Sequence, residues 1–187
     1  MDRVTFLGVE RPVDYMVGAG GAMLDAPALL DGLKAAAALI DSVPNWSADE
    51  REALLAMRKI VFFSGEIEVN TWKLTRPGCD EDDAIFYWEA VEFMANTDAD
   101  VRANTFFHDC WHVIQFRREG GFARTDEIRV DREVDAIGRQ IAAARKLGCE
   151  EREIAHLQRY LDDHPMIVAR LAEGIDRMDH AQPILRA

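Results

Sequence analysis

Two histidines lie four residues apart in the stretch from Phe106 to Phe116, which has the sequence FFHDCWHVIQF. Residues at this spacing on a helix lie one turn above each other on the same face, so the imidazoles of His108 and His112 can converge on one metal ion. Asp109 falls on a neighbouring face, from which its carboxylate could reach a water bound to that ion. These residue types predict a zinc site, for which another part of the chain must supply a further ligand.

The third ligand must come from elsewhere because a catalytic zinc is held by three protein side chains and keeps one position for water. The next predicted helix carries three carboxylates, those of Asp131, Glu133 and Asp135. The residues that follow them include Ala136 and Gly138, which are small, as two helices in close contact require. The residue types alone leave the choice among the three acids open.

The sequence HDCWHVIQ at 108–115, followed by REVDA at 132–136, resembles the compact zincin metallopeptidases of the gluzincin type. In that family an HExxH helix is followed by a helix that carries a glutamate as third ligand. The resemblance covers roughly residues 100–147. It implies a bundle-like α+β domain, mainly α-helical, with a small sheet beside the histidine helix.

The resemblance also implies a role for each residue of the site. His108, His112 and Glu133 would bind Zn²⁺, and Asp109 would be the general base that takes a proton from the metal-bound water. The family has Glu at the position of Asp109, whose side chain is shorter by one methylene. A displacement of about 1 Å at a catalytic group can lower the rate roughly a hundredfold.

Three functions are compatible with this pattern. The first is a zinc-dependent hydrolase, in the form of a zincin-like peptidase that acts on a peptide or protein. The second is a zincin-like domain that is catalytically weak or inactive and serves as a binding or regulatory protein. The third is a metal-free helical interaction domain, in which the histidine pair and the aromatic residues around it are core packing.

The other residues that could do chemistry suggest no competing site. A nucleophilic Cys110 with His112 as its base would need both groups on one face, and residues two apart on a helix point in different directions. His156, His164 and His180 have no comparable partners in the sequence and are predicted to lie at the surface.

Hydrophobic periodicity predicts that helices position these residues. Apolar side chains at spacings of three and four predict a helix from Ala26, with Pro27 in its first turn. Ser47 and Glu50 form a capping-box pattern at the start of the next helix. Alternating apolar and polar residues then predict a small β-hairpin or short sheet near residues 61–74.

Further helices are predicted in the second half of the chain. The four acids from Asp80 to Asp83 fit the start of a helix that continues to Met94, because acids stabilise the positive end of a helix. The helices after it are predicted at about 98–118, 126–147, 150–164 and 167–175, and a single short edge strand is predicted near the N-terminus at about 4–9.

The chain of 187 residues is long enough for one domain with a hydrophobic core. We expect a partly flexible N-terminal segment at 1–25, a helical core at 26–178 and a tail at 179–187. The net charge of −12 argues against nucleic-acid and anionic-membrane partners, which need clustered Lys and Arg. Three cysteines outside any C-x-x-C pattern, and no apolar run of about 20 residues, predict a soluble cytoplasmic protein.

Overall fold

Residues 2–69, 72–74, 78–123 and 125–163 are described by the computed structural model, and they form an α+β fold. The elements, in chain order, are β1 (Asp2–Phe6), β2 (Val9–Val17), α1 (Ala26–Ser42), α2 (Ala48–Ala56), β3 (Lys59–Ser64), β4 (Ile67–Val69), β5 (Trp72–Leu74), β6 (Gly78–Asp80), β7 (Ile85–Glu89), α3 (Ala90–Ala95), α4 (Ala99–Glu119), α5 (Asp126–Leu147) and α6 (Glu151–Asp162). The predicted class, mainly helical with a sheet, is confirmed. The helix predicted near 167–175 and the tail at 179–187 lie outside the described residues. In the described part of the chain, no helix has the length and apolar character that a membrane span needs.

The five-stranded sheet has the order β1-β2-β3-β7-β6 and is mixed. The inner pairs, β2 with β3 and β3 with β7, are parallel, and both outer pairs are antiparallel. Parallel neighbours need a crossover, and the chain runs through α1 and α2 between β2 and β3. Within the described residues β6 is an edge strand, and it lies against α4. The hairpin predicted near residues 61–74 is present as β4 and β5, which pair antiparallel.

The N-terminal strands form a hairpin where the sequence suggests a single edge strand at 4–9. The turn lies at Leu7 and Gly8, whose φ angles are 50° and 78°. Two successive positive φ angles are typical of a type I′ hairpin turn, which usually carries Asn-Gly. Leu-Gly lacks that signal. The prediction of a single edge strand is therefore wrong, and β1 pairs antiparallel with β2.

A second correction concerns the helix predicted from Asp80–Asp83 to Met94. Its central part is the strand β7, which lies between β3 and β6, and the helical part is restricted to α3. The strand contains three consecutive buried residues, Phe86, Tyr87 and Trp88. A strand covered on both faces carries such an uninterrupted apolar run, which periodicity cannot separate from a buried helix.

Helix α4 lies at the centre of the helical layer and packs against α1, α2 and α5. Phe106 stacks on Phe6 with ring centroids 4.6 Å apart, and Phe107 stacks on Trp46 at 5.7 Å. Because aromatic rings bury the largest areas, these contacts fix the rotation of the helix about its axis. The polar residues on its remaining side are thereby directed away from the core.

The predicted helix ends are confirmed where they depend on local chemistry. Ser47 and Glu50 form the capping box of α2, in which Glu50 Oε2 accepts a hydrogen bond from the Ser47 N–H at 2.6 Å. Helices α4 and α5 both end at glycines in the left-handed conformation, Gly120 (φ 78°) and Gly148 (φ 77°). Pro27 lies in the first turn of α1.

Candidate metal centre

His108 and His112 lie one turn apart on α4, and both approach Glu133 of α5. The two Nε2 atoms are 3.0 Å apart, His112 Nε2 is 3.2 Å from Glu133 Oε2, and His108 Nε2 is 3.6 Å from Glu133 Oε1. In a tetrahedral zinc site with bonds of about 2.0–2.1 Å, ligand atoms lie about 3.3 Å from one another. The three side chains therefore have the spacing that a small divalent ion needs, and this spacing does not select one metal.

Glu133 lies at this position, and the two neighbouring acids do not. Asp131 is exposed. Asp135 has different partners, because its Oδ2 accepts hydrogen bonds from Trp111 Nε1 at 2.6 Å and from Gln115 Nε2 at 2.9 Å. The structure thus brings Glu133 to the histidine pair, while its role as a ligand stays a prediction.

Close packing of α5 on α4 brings Glu133 within reach. Ala136 and Ile137, one turn further along α5, are 0% and 1% exposed. Gly138 is exposed, and a Cβ atom there would meet nothing within 4 Å. The argument from small residues therefore applies to Ala136 and is wrong for Gly138.

A chain of hydrogen bonds fixes the orientation of His112. Gln115 Nε2 donates to the carbonyl oxygen of Arg132 and to Asp135 Oδ2, both at 2.9 Å, so the amide oxygen faces the opposite way. This oxygen lies 2.9 Å from His112 Nδ1 and can only accept, which places a proton on Nδ1. In the neutral imidazole, Nε2 then directs its lone pair to the centre of the group, as a metal ligand requires.

Asp109 is half-buried beside the histidine pair. Burial raises the pKa of its carboxyl to about 7, the charge of His112 lowers it in part, and the negative charges of Glu133, Glu81 and Glu92 raise it. Acids from several elements therefore act on one another at this position, which disfavours their ionised forms.

His112 shows a different balance. Burial lowers its pKa, but the hydrogen bond and charge of Glu133, with the charges of Asp109 and Glu81, raise it to about 9. Without a metal, His112 is an imidazolium paired with Glu133 at neutral pH. A bound cation must displace the Nε2 proton, so metal affinity falls as the pH decreases.

Glu81 is a residue of the site that the sequence interpretation missed. It follows β6, is half-buried, and its Oε2 lies 3.8 Å from Nη1 of Arg132. Arg132 is held in turn by Glu119 at 2.7 Å and by the carbonyl oxygen of Gly121 at 2.8 Å. Burial raises the pKa of Glu81, and the positive charges of His112 and Arg132 lower it in part. No local spacing signals this residue, because the sheet topology brings β6 to α4.

The remaining predicted features contribute no chemistry to the site. Cys110 is fully buried, and burial together with the charge of Asp109 raises the pKa of its thiol, which makes it a poor nucleophile. His156 is exposed on α6, as predicted. His164 and His180 lie outside the described residues.

A scan against protein-family models, a search of curated proteins and a search of solved structures each give no match to this chain. The likeness to the gluzincins therefore depends on the residues of the two motifs alone. What the structure adds to them is a His–His–Glu group that is close enough to hold a metal ion.

Proposed function

We propose that the chain is a zinc-dependent hydrolase, in the form of a zincin-like peptidase that acts on a peptide or protein. The convergence of His108, His112 and Glu133, whose ligand atoms all lie within 4.8 Å of one another, is the observation that supports this proposal. Two imidazoles and one carboxylate form a ligand set of catalytic zinc sites, in which the fourth position is left to water.

The residues of the chain have separate roles in this proposal. Bound at the group, zinc would supply Lewis acidity towards a substrate carbonyl and a water of lowered pKa. The Nε2 atoms of His108 and His112 and the carboxylate of Glu133 would hold the ion. Gln115 would keep a proton of His112 on Nδ1, so that Nε2 stays free to bind.

Asp109 is the proposed general base. It follows His108 directly on α4, and it is half-buried beside the group. A carboxylate oxygen of Asp109 would take a proton from the attacking water and later give it to the leaving amine nitrogen. Because Asp is one methylene shorter than the Glu of the gluzincins, we expect the rate to rise in Asp109→Glu.

The edge strand β6 supports the proposal that the substrate is an extended peptide and not another kind of hydrolase substrate. Within the described residues, the outer side of β6 has no neighbouring strand, and the strand lies against α4. The backbone groups of an edge strand can pair with an added strand, which is a common mode of peptide recognition. A peptide paired with β6 would lie next to the histidine helix.

A second candidate is a zincin-like domain that binds zinc and a protein partner without cleavage. The observation that favours it is Asp109, which replaces the longer Glu of the gluzincin motif. This candidate shares the metal site with the first and differs from it in turnover alone.

We also propose a cytoplasmic location. The cysteines of the chain are free thiols, with Cys110 and Cys149 buried and Cys79 half-buried. Free thiols persist in a reducing compartment.

Metal analysis of the full-length chain tests the site. After dialysis against zinc and removal of the free ion, the protein should retain about one equivalent. His112→Ala should retain none under the same conditions. His156→Ala is the matched control, because His156 is exposed on α6 and should leave the zinc content unchanged.

Cleavage of a mixed peptide library, followed by mass spectrometry, separates the enzyme from the binding protein. We expect zinc-dependent products from the wild type, none from Asp109→Ala and more from Asp109→Glu. Stoichiometric zinc without any product would favour the second candidate. A zinc content well below one equivalent would overturn both.

A further inference from the structure

Three arginines from three parts of the chain line one cavity of about 350 Å³ at the C-terminal end of α2. Arg11 belongs to β2, Arg58 lies in the connection between α2 and β3, and Arg117 is in the last turn of α4. We call this space the arginine cavity. Its three cations have no part in the proposed hydrolysis.

Arg11 is the buried member of the three, with 6% of its surface exposed. Its Nη2 donates to the carbonyl oxygen of Leu55 at 2.9 Å, its Nε to that of Met57, and its Nη1 to that of Glu10 at 3.3 Å. Within the described residues, no carboxylate forms an ion pair with it. The carbonyl groups satisfy donors of Arg11 but leave its charge without a counter-ion, and a buried charge in that state is costly.

The other two arginines add to this positive charge. Arg117 Nη2 donates to the carbonyl oxygen of Ala56 at 3.2 Å, so Arg11 and Arg117 together contact three consecutive carbonyls at the end of α2. A helix end carries only about half a negative charge, which two guanidinium groups exceed. Arg58 is exposed, and its side chain forms neither a hydrogen bond nor an ion pair in the part of the chain that the structure describes. Capping of α2 therefore does not account for Arg58.

Carboxylates neutralise neighbouring cations but not the arginine cavity. The chain has 34 acidic residues and 22 lysines and arginines, so acids are plentiful. Arg118, next to Arg117 on α4, contacts Asp49 and Glu52 at 2.8 Å each. Glu10 lines the arginine cavity, but its carboxylate pairs with Arg3 at 2.7 Å. The lack of a carboxylate partner in so acidic a chain indicates that an anion from outside the chain neutralises the cavity.

A second hollow of about 560 Å³ adjoins the arginine cavity and shares Leu55, Ala56 and Arg117 with it. Ala48 and Leu55 give it apolar walls, and Leu55 is 36% exposed. Both volumes fall in the range of small-molecule sites, about 300–1,000 Å³. The pair of hollows suits a ligand that has an anionic group at one end and an apolar body at the other.

We propose that the arginine cavity binds the phosphate group of a phosphate monoester, whose apolar body occupies the adjoining hollow. A phosphate monoester has close to two negative charges and more acceptor oxygens than a carboxylate, which suits three guanidinium groups better. A guanidinium also has more N–H donors than the three carbonyl contacts of Arg11 use. The proposal does not rest on the hydrolase function, because His108, His112 and Glu133 line neither hollow.

NMR titration of the ¹⁵N-labelled, full-length protein tests the proposal. The protein is kept free of metal, so that zinc cannot hold the phosphate, and the ionic strength is kept constant. The probes are phenyl phosphate, inorganic phosphate and phenol. We expect phenyl phosphate to saturate one site with a Kd of about 1 mM or tighter, inorganic phosphate to bind the same site more weakly, and phenol not to saturate.

The pattern of the three titrations decides between the parts of the proposal. Equal affinities for the two phosphates would support the anion site and overturn the role of the adjoining hollow. Absence of saturation by either phosphate below about 10 mM would overturn the whole proposal. Equal binding of phenol and phenyl phosphate would overturn the role of the arginines.

Arginine variants locate the binding site. Arg58→Gln and Arg117→Gln should each weaken phenyl phosphate binding roughly tenfold, because each loses charge-assisted hydrogen bonds. Arg145→Gln is the matched control, because Arg145 is an exposed arginine in the last turn of α5 and its replacement changes the net charge equally. The same spectra show whether each variant is folded. Unchanged binding in both cavity variants, or an equal loss in Arg145→Gln, would overturn the proposal.

Discussion

Carboxylates are withdrawn from water at two places in this fold, with opposite electrostatic results. Glu50 at the start of α2 is 6% exposed, and its Oε2 contacts Lys146 Nζ and the Ser47 N–H. Burial raises the pKa of Glu50, but Lys146 and Ser47 together lower it by more than burial raises it, so the pKa lies below its ordinary value. At the candidate metal centre, burial and neighbouring acids raise the pKa of Asp109 to about 7, and burial raises that of Glu81.

Glu50 forms an ion pair that supports the fold, whereas burial and the acids around Asp109 outweigh the charge of His112 and disfavour the ionised form of Asp109. Glu50 has a cation and a backbone donor, so its ionised form is stabilised. At the metal centre, the negative charges of several acids repel one another. A stable fold does not require this arrangement, and a bound cation would reduce the repulsion. Changes at the first place should therefore alter stability alone, and changes at the second should alter metal binding.

The largest expected effect is that of metal removal. Chelation of the zinc-loaded protein should lower the free energy of unfolding by about 4 kcal/mol, the value for free zinc at roughly a thousand times its Kd. The free energy of unfolding of His112→Ala should be the same with and without zinc, because this variant lacks one of the three ligands. Melting temperatures with and without zinc measure both effects. If zinc raises the melting temperatures of His112→Ala and His156→Ala equally, His112 does not hold the ion, and the candidate metal centre is not the zinc site.

The next effect concerns the Glu50–Lys146 pair. Glu50→Gln should lower the free energy of unfolding by roughly 2 kcal/mol at neutral pH, measured with urea, and leave the zinc affinity unchanged. Glu52→Gln, on the exposed side of α2 beside Arg118, is the control and should cost less than about 0.5 kcal/mol. A change of zinc affinity in Glu50→Gln would contradict the separation of the two places.

The pH dependence of the Glu50 effect has a defined sign. The pKa of Glu50 in the folded protein lies below its ordinary value of 4.5. An acid with a lowered pKa contributes stability that is fully present above the unfolded value and is lost as the pH falls through the folded value. The difference between the wild type and Glu50→Gln should therefore decrease below about pH 4.5.

Gln115 is expected to have a smaller effect, on metal affinity more than on the fold. Gln115→Leu should weaken zinc binding about 10- to 100-fold, because the Nδ1 proton of His112 loses its acceptor. Competition with a chromogenic chelator measures the affinity. Gln158→Leu, an exposed glutamine of α6 bonded to Asp162, is the control and should bind zinc as the wild type does. Unchanged affinity in Gln115→Leu would mean that His112 is oriented without this hydrogen bond.

Local chemistry made most of the helical part of the fold predictable. The capping box at Ser47 and Glu50 and the terminal glycines Gly120 and Gly148 act within one helical turn, so the sequence shows them directly. The strands depend on partners far away in the chain. The buried run of β7 has no period-two pattern and therefore predicts a helix, and the β1–β2 turn lacks a recognisable dipeptide.

The candidate site divides in the same way. The spacing of His108 and His112 is local, and it predicts two side chains on one face of α4. The family resemblance predicts Glu133 among the three acids of α5, and the packing of α5 brings it to the pair. No local spacing predicts Glu81 as a residue of the site, because the packing of β6 against α4 depends on the sheet.

The smallest expected effect is at Asp109 in the metal-free protein, and its sign is opposite to that of Glu50. The pKa of its folded carboxyl, about 7, lies above the ordinary value of 3.8, so ionisation opposes folding increasingly as the pH rises between these values. Asp109→Asn should therefore stabilise the chelated protein at about pH 8 by on the order of 1 kcal/mol, and the gain should vanish below about pH 4.

Urea unfolding at both pH values measures the gain in the free energy of unfolding. Asp131→Asn is an exposed control that should change stability by less than about 0.5 kcal/mol. Zinc should reduce the gain, because the cation stabilises the ionised carboxylate. A loss of stability in Asp109→Asn at both pH values would show that this acid supports the fold as Glu50 does, and that the two places are alike.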